Sequence, residues 1–81
     1  MSRHILLRAA VPETQEPKDI ILCFLDHNEV TPYATWVYDV RADDAYGGRY
    51  FKTCEEALID FVARCKGRNA VIYPTPEHRP K

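Results

Sequence analysis

Serine is almost missing from this chain: Ser2 is the only one, close to the N-terminus, which leaves a serine nucleophile without a position from which to act. Glycine is scarce too, with three in 81 residues, and the pair Gly47-Gly48 has neither the spacing nor the lysine of a phosphate loop. No apolar run approaches the roughly 18 residues of a membrane span, and the first residues lack a signal-peptide pattern. Charge of one sign is lacking as well. Lys+Arg 11 against Asp+Glu 12 gives a net charge of −1, without the overall basic footprint of a general nucleic-acid binder. Finally, an odd count of three cysteines, Cys23, Cys54 and Cys65, is a poor disulfide framework. On a helix Cys54 and Cys65 would lie about 16 Å apart along the axis, whereas a disulfide needs Cα atoms within roughly 7 Å. A reducing, cytoplasmic setting is the expectation, with no membrane association, and the thiols read as small core residues.

What is present is the composition of one small folded domain, 46% hydrophobic and 28% charged. A chain of this size buries only about 60–65% of its unfolded surface, so its core is thin and a large enclosed active site is not expected. Ile5, Leu6 and Leu7 are too few to decide between strand and helix. Pro12, Glu13, Glu16 and Pro17 then read as loop, so residues 1–19 are expected as a loosely ordered N-terminal segment. Residues 20–25 form a continuous apolar run, as in a strand buried on both faces. Residues 33–40 alternate: Ala34, Trp36, Tyr38 and Val40 share one face, and Tyr33, Thr35, Val37 and Asp39 the other. A polar turn through Asp43 and Asp44 leads to a strand at 46–51, where the glycine pair suggests a bulge.

The best-specified element is a helix over about 54–66. Thr53 and Glu56 form a capping box. Cys54, Ala57, Leu58, Phe61, Val62 and Cys65 make an apolar stripe, and Gly67 stands where a left-handed C-terminal cap is expected. Residues 70–73 suit a short last strand, and Pro74, Pro76 and Pro80 mark residues 74–81 as a tail. The predicted fold is α+β: a three- to four-stranded antiparallel sheet with one amphipathic helix on one face, in a single domain spanning 20–73. Trp36, Tyr38, Phe24, Phe61, Leu58 and Val62 are the expected core.

Catalytic and metal constellations are not evident. Cys54 sits at a helix N-terminus, where a thiol is activated, but it opens the apolar stripe. Asp26 and His27 have the chemistry of a turn as much as of an acid–base pair. Cys23 and His27 would be about 13 Å apart on an extended strand, too far for one ion. No catalytic residue, metal ligand or cofactor is therefore assigned.

Charge is segregated along the chain. Residues 1–25 are balanced, residues 26–44 carry Arg41 against five carboxylates, and residues 45–81 carry seven basic and four acidic side chains. An acidic hairpin end and a basic helix end can orient a partner. One helix covers one sheet face, which would leave Tyr33, Thr35 and Val37 on the other. Tyrosine and arginine most often anchor interfaces. Tyr33, Asp39, Asp43, Asp44, Tyr46, Arg49 and Tyr50 are thus candidate partner-binding residues, and Arg64, Lys66 and Arg68 a candidate basic patch.

Trp36-Val37-Tyr38, the stretch from Tyr46 through Gly47, Gly48, Arg49 and Tyr50 to Phe51, and the helix start from Glu55 to Phe61 together resemble small accessory proteins of phages and plasmids. Those include anti-CRISPR and anti-restriction inhibitors. The resemblance implies a stoichiometric binder of a host complex and supplies no catalytic residue; the weak overall acidity departs from inhibitors that mimic DNA. The expected function is a non-enzymatic protein-binding module, with the resemblance implying a mobile-element inhibitor of a host defence complex, engaging a protein partner or a second copy of itself. The alternative is a small nucleic-acid-binding accessory protein using Arg49, Tyr50 and the basic patch.

Overall fold

Five strands and one helix follow one another as β1 (Arg3–Val11), β2 (Lys18–Leu25), β3 (Tyr33–Asp39), β4 (Asp44–Phe51), α1 (Cys54–Arg68) and β5 (Val71–Ile72) in a computed structural model that describes residues 3–12 and 17–73. The strands form one sheet in the order β4-β3-β2-β1-β5, every neighbouring pair antiparallel. The α+β class and the single helix are as expected. The strand count is five rather than three to four.

The added strand is β1, inside the segment expected as loosely ordered. It pairs with β2 from Arg3↔Leu25 to Val11↔Lys18, with a register shift between Ile5 and Leu7. That irregularity turns Leu6 outward, which disguises the alternation of the strand. The short β5 then pairs with β1 through Ala9↔Ile72 and Ala10↔Val71. The proline-marked tail, 74–81, lies outside the described residues.

The apolar run in β2 is buried on both faces: Ile20, Ile21, Leu22 and Cys23 are all inaccessible or nearly so. On one face Ala9, Ile20, Leu22 and Val37 pack with Ala57, Phe61 and Cys65 of α1, with Leu7, Val11, Tyr33 and Phe51 around them. On the other, Ile21, Cys23, Leu25 and Ala34 lie beneath Ile5, Trp36 and Tyr38. The alternation of β3 is thus as read, but its faces are exchanged. Tyr33 and Val37 are the residues under the helix, and Trp36 and Tyr38 stand on the open side. A period of two says which residues share a face; it does not say which face the helix takes.

The helix is rotated relative to its apolar stripe. Its buried residues are Ala57, Phe61, Arg64 and Cys65, while Cys54, Leu58 and Val62 are exposed. Of the six expected core residues only Phe61 is fully buried; Phe24, Trp36 and Tyr38 are half-buried. A polar network explains the rotation. The Thr35 hydroxyl, itself inaccessible, donates to Asp60 Oδ2 at 2.5 Å, and Arg64 Nε donates to the same oxygen at 3.1 Å. Satisfying a buried polar group outweighs the fuller burial of two aliphatic side chains, because an unpaired one costs about 1–3 kcal/mol.

The helix start is as predicted. Thr53 accepts from the Glu56 amide at 3.2 Å, and its hydroxyl meets Glu56 Oε1 at 3.1 Å. The end is not. Gly67 remains helical, and Asn69 takes the left-handed conformation at φ 53°, with the Ala70 amide donating to the Cys65 carbonyl at 2.9 Å. Asparagine tolerates that conformation, and two residues of helix are gained.

Candidate binding faces of the sheet

No described element packs over the face of the sheet opposite α1, yet residues in its floor are as inaccessible as those under the helix. Long side chains supply the cover. The Arg3 guanidinium lies 5.6 Å from the Trp36 ring centroid, and Tyr50 meets Trp36 edge-on at 5.8 Å between centroids. Arg8 sits 5.2 Å from each of the Tyr38 and Tyr73 rings. Arginine laid over aromatic faces gains cation–π attraction while its stem shields apolar floor. Fully inaccessible Asp19 fixes Arg8, accepting from its Nε at 2.7 Å and from the Tyr73 hydroxyl at 2.8 Å.

The Gly47-Gly48 bulge shapes this face. Two residues oppose Trp36, since pairing passes from Thr35↔Arg49 to Val37↔Tyr46. Gly47 is at φ +66°, and a Cβ on Gly48 would fall 2.3 Å from Trp36 Nε1. The indole therefore lies directly across a glycine, a close approach that only the absent side chain permits. Beside it, Arg3, Leu25, His27, Asn28, Trp36 and Tyr50 line an open hollow of about 780 Å³. The Cys23 thiol in the floor is pushed up to about 11 by burial, against the opposing pull of the Arg3 charge. It is an inert core thiol, as is Cys65, which burial also raises. Cys54 is exposed.

On the helix side, Asp60 gathers a second set. Arg49 NH1 donates to its Oδ1 at 2.7 Å, in addition to the Thr35 and Arg64 bonds. Arg64 NH2 reaches the Gly47 carbonyl at 2.5 Å, tying α1 to the bulge. Burial pushes the Asp60 carboxyl upward, but the hydrogen bonds from Thr35 and Arg49 and the charges of Arg49 and Arg64 outweigh it and hold the group below the usual carboxylate range. Arg64 is lowered, by burial first and by the neighbouring charges of Arg49 and Arg68, with Asp60 opposing.

The expected partner-binding residues do not form one surface. Tyr50 belongs to the open face. Tyr33 packs against the core beneath α1, and Arg49 is on the same side, held by Asp60. Tyr46 is exposed, with Lys18 Nζ 5.6 Å from its ring centroid. At the hairpin end Asp39 accepts from Lys18 at 2.8 Å and from the Arg41 and Ala42 amides at 3.1 Å each. The Lys18 bond leads in holding that carboxyl below its ordinary value. Asp43, at φ 52°, accepts from the Tyr38 hydroxyl, a bond that with burial raises the phenol. Asp44 is exposed. Of the basic patch, Arg64 and Arg68 line one hollow with Arg49, whereas Lys66 borders a different, apolar one with Leu58, Ile59 and Val62.

Arg3, Arg8, Asp19 and Tyr73 escaped the sequence reading, because what joins them is the pairing of β1 with β2 and β5 across long separations. Their one visible trace is a carboxylate, Asp19, set against the apolar run. Among the described residues no three His, Cys, Asp or Glu side chains converge as a metal-binding group, and no helix is long and apolar enough to cross a membrane. Compared with family models, with curated proteins and with solved structures, the chain matches none.

Proposed function

We propose that the protein is a non-enzymatic binding module that docks a protein partner on its open sheet face. The observation that carries this reading is the cluster of Trp36, Tyr50 and Arg3 around an open hollow, in a face no described element covers. Tryptophan, tyrosine and arginine are the residue types that concentrate binding energy, above all where a concave site admits a partner side chain. Mutual contact already holds the three together, which lowers the ordering cost of association.

The alternative, nucleic-acid binding through Arg49, Tyr50 and the basic patch together, is less well supported. Arg49 and Tyr50 are successive residues of a strand, and their side chains stand on opposite faces. The narrower expectation of a mobile-element inhibitor rests on the motif resemblance, which no comparison supports. A host defence complex is then one class of partner that capture would reveal.

The test is capture from a bacterial lysate with the wild-type chain and with the double variant Arg3→Ala, Tyr50→Ala, both exposed positions that leave Trp36 as a reporter. Stoichiometric capture lost in the double variant, with folding intact by circular dichroism, is the expected result. Capture insensitive to the double variant, or no stoichiometric partner at all, would remove the reading.

A further inference from the structure

The hollow on the helix side of the bulge has a chemistry that the open face lacks. It has a volume of about 380 Å³ and is lined by Arg49, Arg64 and Arg68 together with Tyr46, Gly47 and Gly48. Against three guanidinium charges, the hydrogen bonds of the described residues set one carboxylate, Asp60, which binds Arg49 and Arg64. Among the described residues, Arg68 NH1 hydrogen-bonds the Arg64 carbonyl at 3.5 Å and no carboxylate. Arginine side chains carry five N–H donors each. Arg49 commits NH1, and Arg64 commits Nε and NH2, so donors remain on all three.

The arrangement is also held in place. The Arg64 side chain is only 7% exposed, fixed at one edge by Asp60 and at the other by the Gly47 carbonyl. Arg49 is tethered by the opposite oxygen of the same carboxylate. Asp60 thus sets two guanidinium groups in fixed positions without neutralising the cluster. A preset fork of guanidinium groups matches the several acceptor oxygens of a tetrahedral oxyanion better than it matches a neutral ligand.

We propose that this hollow, between the β4 bulge and the C-terminal half of α1, binds a phosphate group through Arg49, Arg64 and Arg68. The site is separate from the docking face, which lies across the sheet. Either can fail without the other. The phosphate could belong to a small phosphorylated molecule or to the backbone of a single strand of nucleic acid, and the two sources are separable by titration.

The experiment follows the arginine Nε–Hε signals of the full chain by NMR at low salt, with inorganic phosphate, pyrophosphate and a short oligothymidylate as separate probes. Trp36 fluorescence monitors the open face in parallel. Saturable shifts of Arg49, Arg64 and Arg68 with phosphate or pyrophosphate, Trp36 unchanged, assign a small-molecule phosphate. The same shifts with oligothymidylate alone, weakening steeply with salt, assign a nucleic-acid backbone. Arg68→Gln removes an exposed side chain that the fold does not need, and it should weaken either response about tenfold. Arg49→Gln should do the same. No arginine shift with any probe at millimolar concentration would overturn the proposal, as would binding indifferent to both variants.

Discussion

On the helix side of the sheet, apolar residues of β1, β2 and β3 meet Phe61, Ala57 and Cys65 in a conventional packed layer, closed at its border by the Asp60 network. On the open side, a floor just as inaccessible is covered by side chains of the sheet itself, with Arg3 over Trp36 and Arg8 between Tyr38 and Tyr73. The first solution builds on fully buried apolar side chains, Phe61 the largest among them, with Ile20 and Leu22. The second distributes the cover over amphipathic side chains, of which Arg3 and Tyr50 are exposed while Arg8 and Tyr73 turn polar atoms onto buried Asp19. A cover of that kind keeps a thin domain folded while leaving aromatic surface available to a partner. The difference predicts that damage to the helix side is felt as stability, and damage to the open side chiefly as surface properties.

The largest effect should come from Phe61→Ala. Phe61 is inaccessible and joins α1 to β1, β2 and β3, so truncation leaves a cavity that the sheet cannot close. A loss of about 3–5 kcal/mol is expected in denaturant unfolding. A loss below 1 kcal/mol would mean that the helix is not the main cover of that face.

Next in size is Asp60→Asn, expected to cost about 2 kcal/mol at neutral pH, because the charged acceptor shared by Thr35, Arg49 and Arg64 is lost. The effect has a pH signature. Asp60 has a folded value below its unfolded value, so its stabilisation is present above the unfolded carboxylate range, near pH 4, and is lost as pH falls through the folded value. The stability gap between wild type and Asp60→Asn should therefore narrow as pH falls below that range. A gap independent of pH would assign the cost to shape rather than charge.

These two residues also show what a single sequence makes legible. The helix, its Thr53 cap and the burial of Phe61 could be read locally, since spacing and capping act within a few turns. The β3 period was equally plain. What was not legible was the side each element would choose, because Trp36 and Tyr38 look as fit for a core as Val37 and Tyr33. The deciding partner was Asp60, which bonds the Thr35 hydroxyl and so brings that face of β3 under the helix. Its i,i+4 spacing from Arg64 is visible in the sequence, but its place at the centre of a network reaching two strands is not. β1 was hidden for a related reason: its evidence is its pairing with β2, not its own short apolar stretch. The candidate site suffered most, since adjacent residues such as Arg49 and Tyr50 are near in sequence but separated by the thickness of a sheet.

A smaller effect is expected from Gly48→Ala on the open side. The added methyl would displace the Trp36 indole from its place across the bulge. The indole is half-buried and has solvent to move into, so a loss of about 1 kcal/mol is expected, at the low end for overpacking. The informative readout is spectroscopic, because Trp36 is the only tryptophan. Its emission should shift toward that of a solvated indole. Unchanged emission would mean that the bulge, and not the ring, gives way.

The sharpest comparison of the two faces uses the thiols already in place. Cys23 lies in the floor of the open face and Cys65 under the helix, both raised by burial, while Cys54 is exposed. A thiol reagent at pH 8 should label Cys54 quickly and the other two only through opening of the structure. Replacing Trp36 with alanine removes part of the cover over Cys23 and leaves the helix side intact. Cys23 should then become reactive at a rate well above that of Cys65, although its own acidity still limits the thiolate fraction. If Cys23 and Cys65 instead accelerate together, the two faces are not independent layers. The open side would then be held by the global fold rather than by its own arginine and aromatic cover.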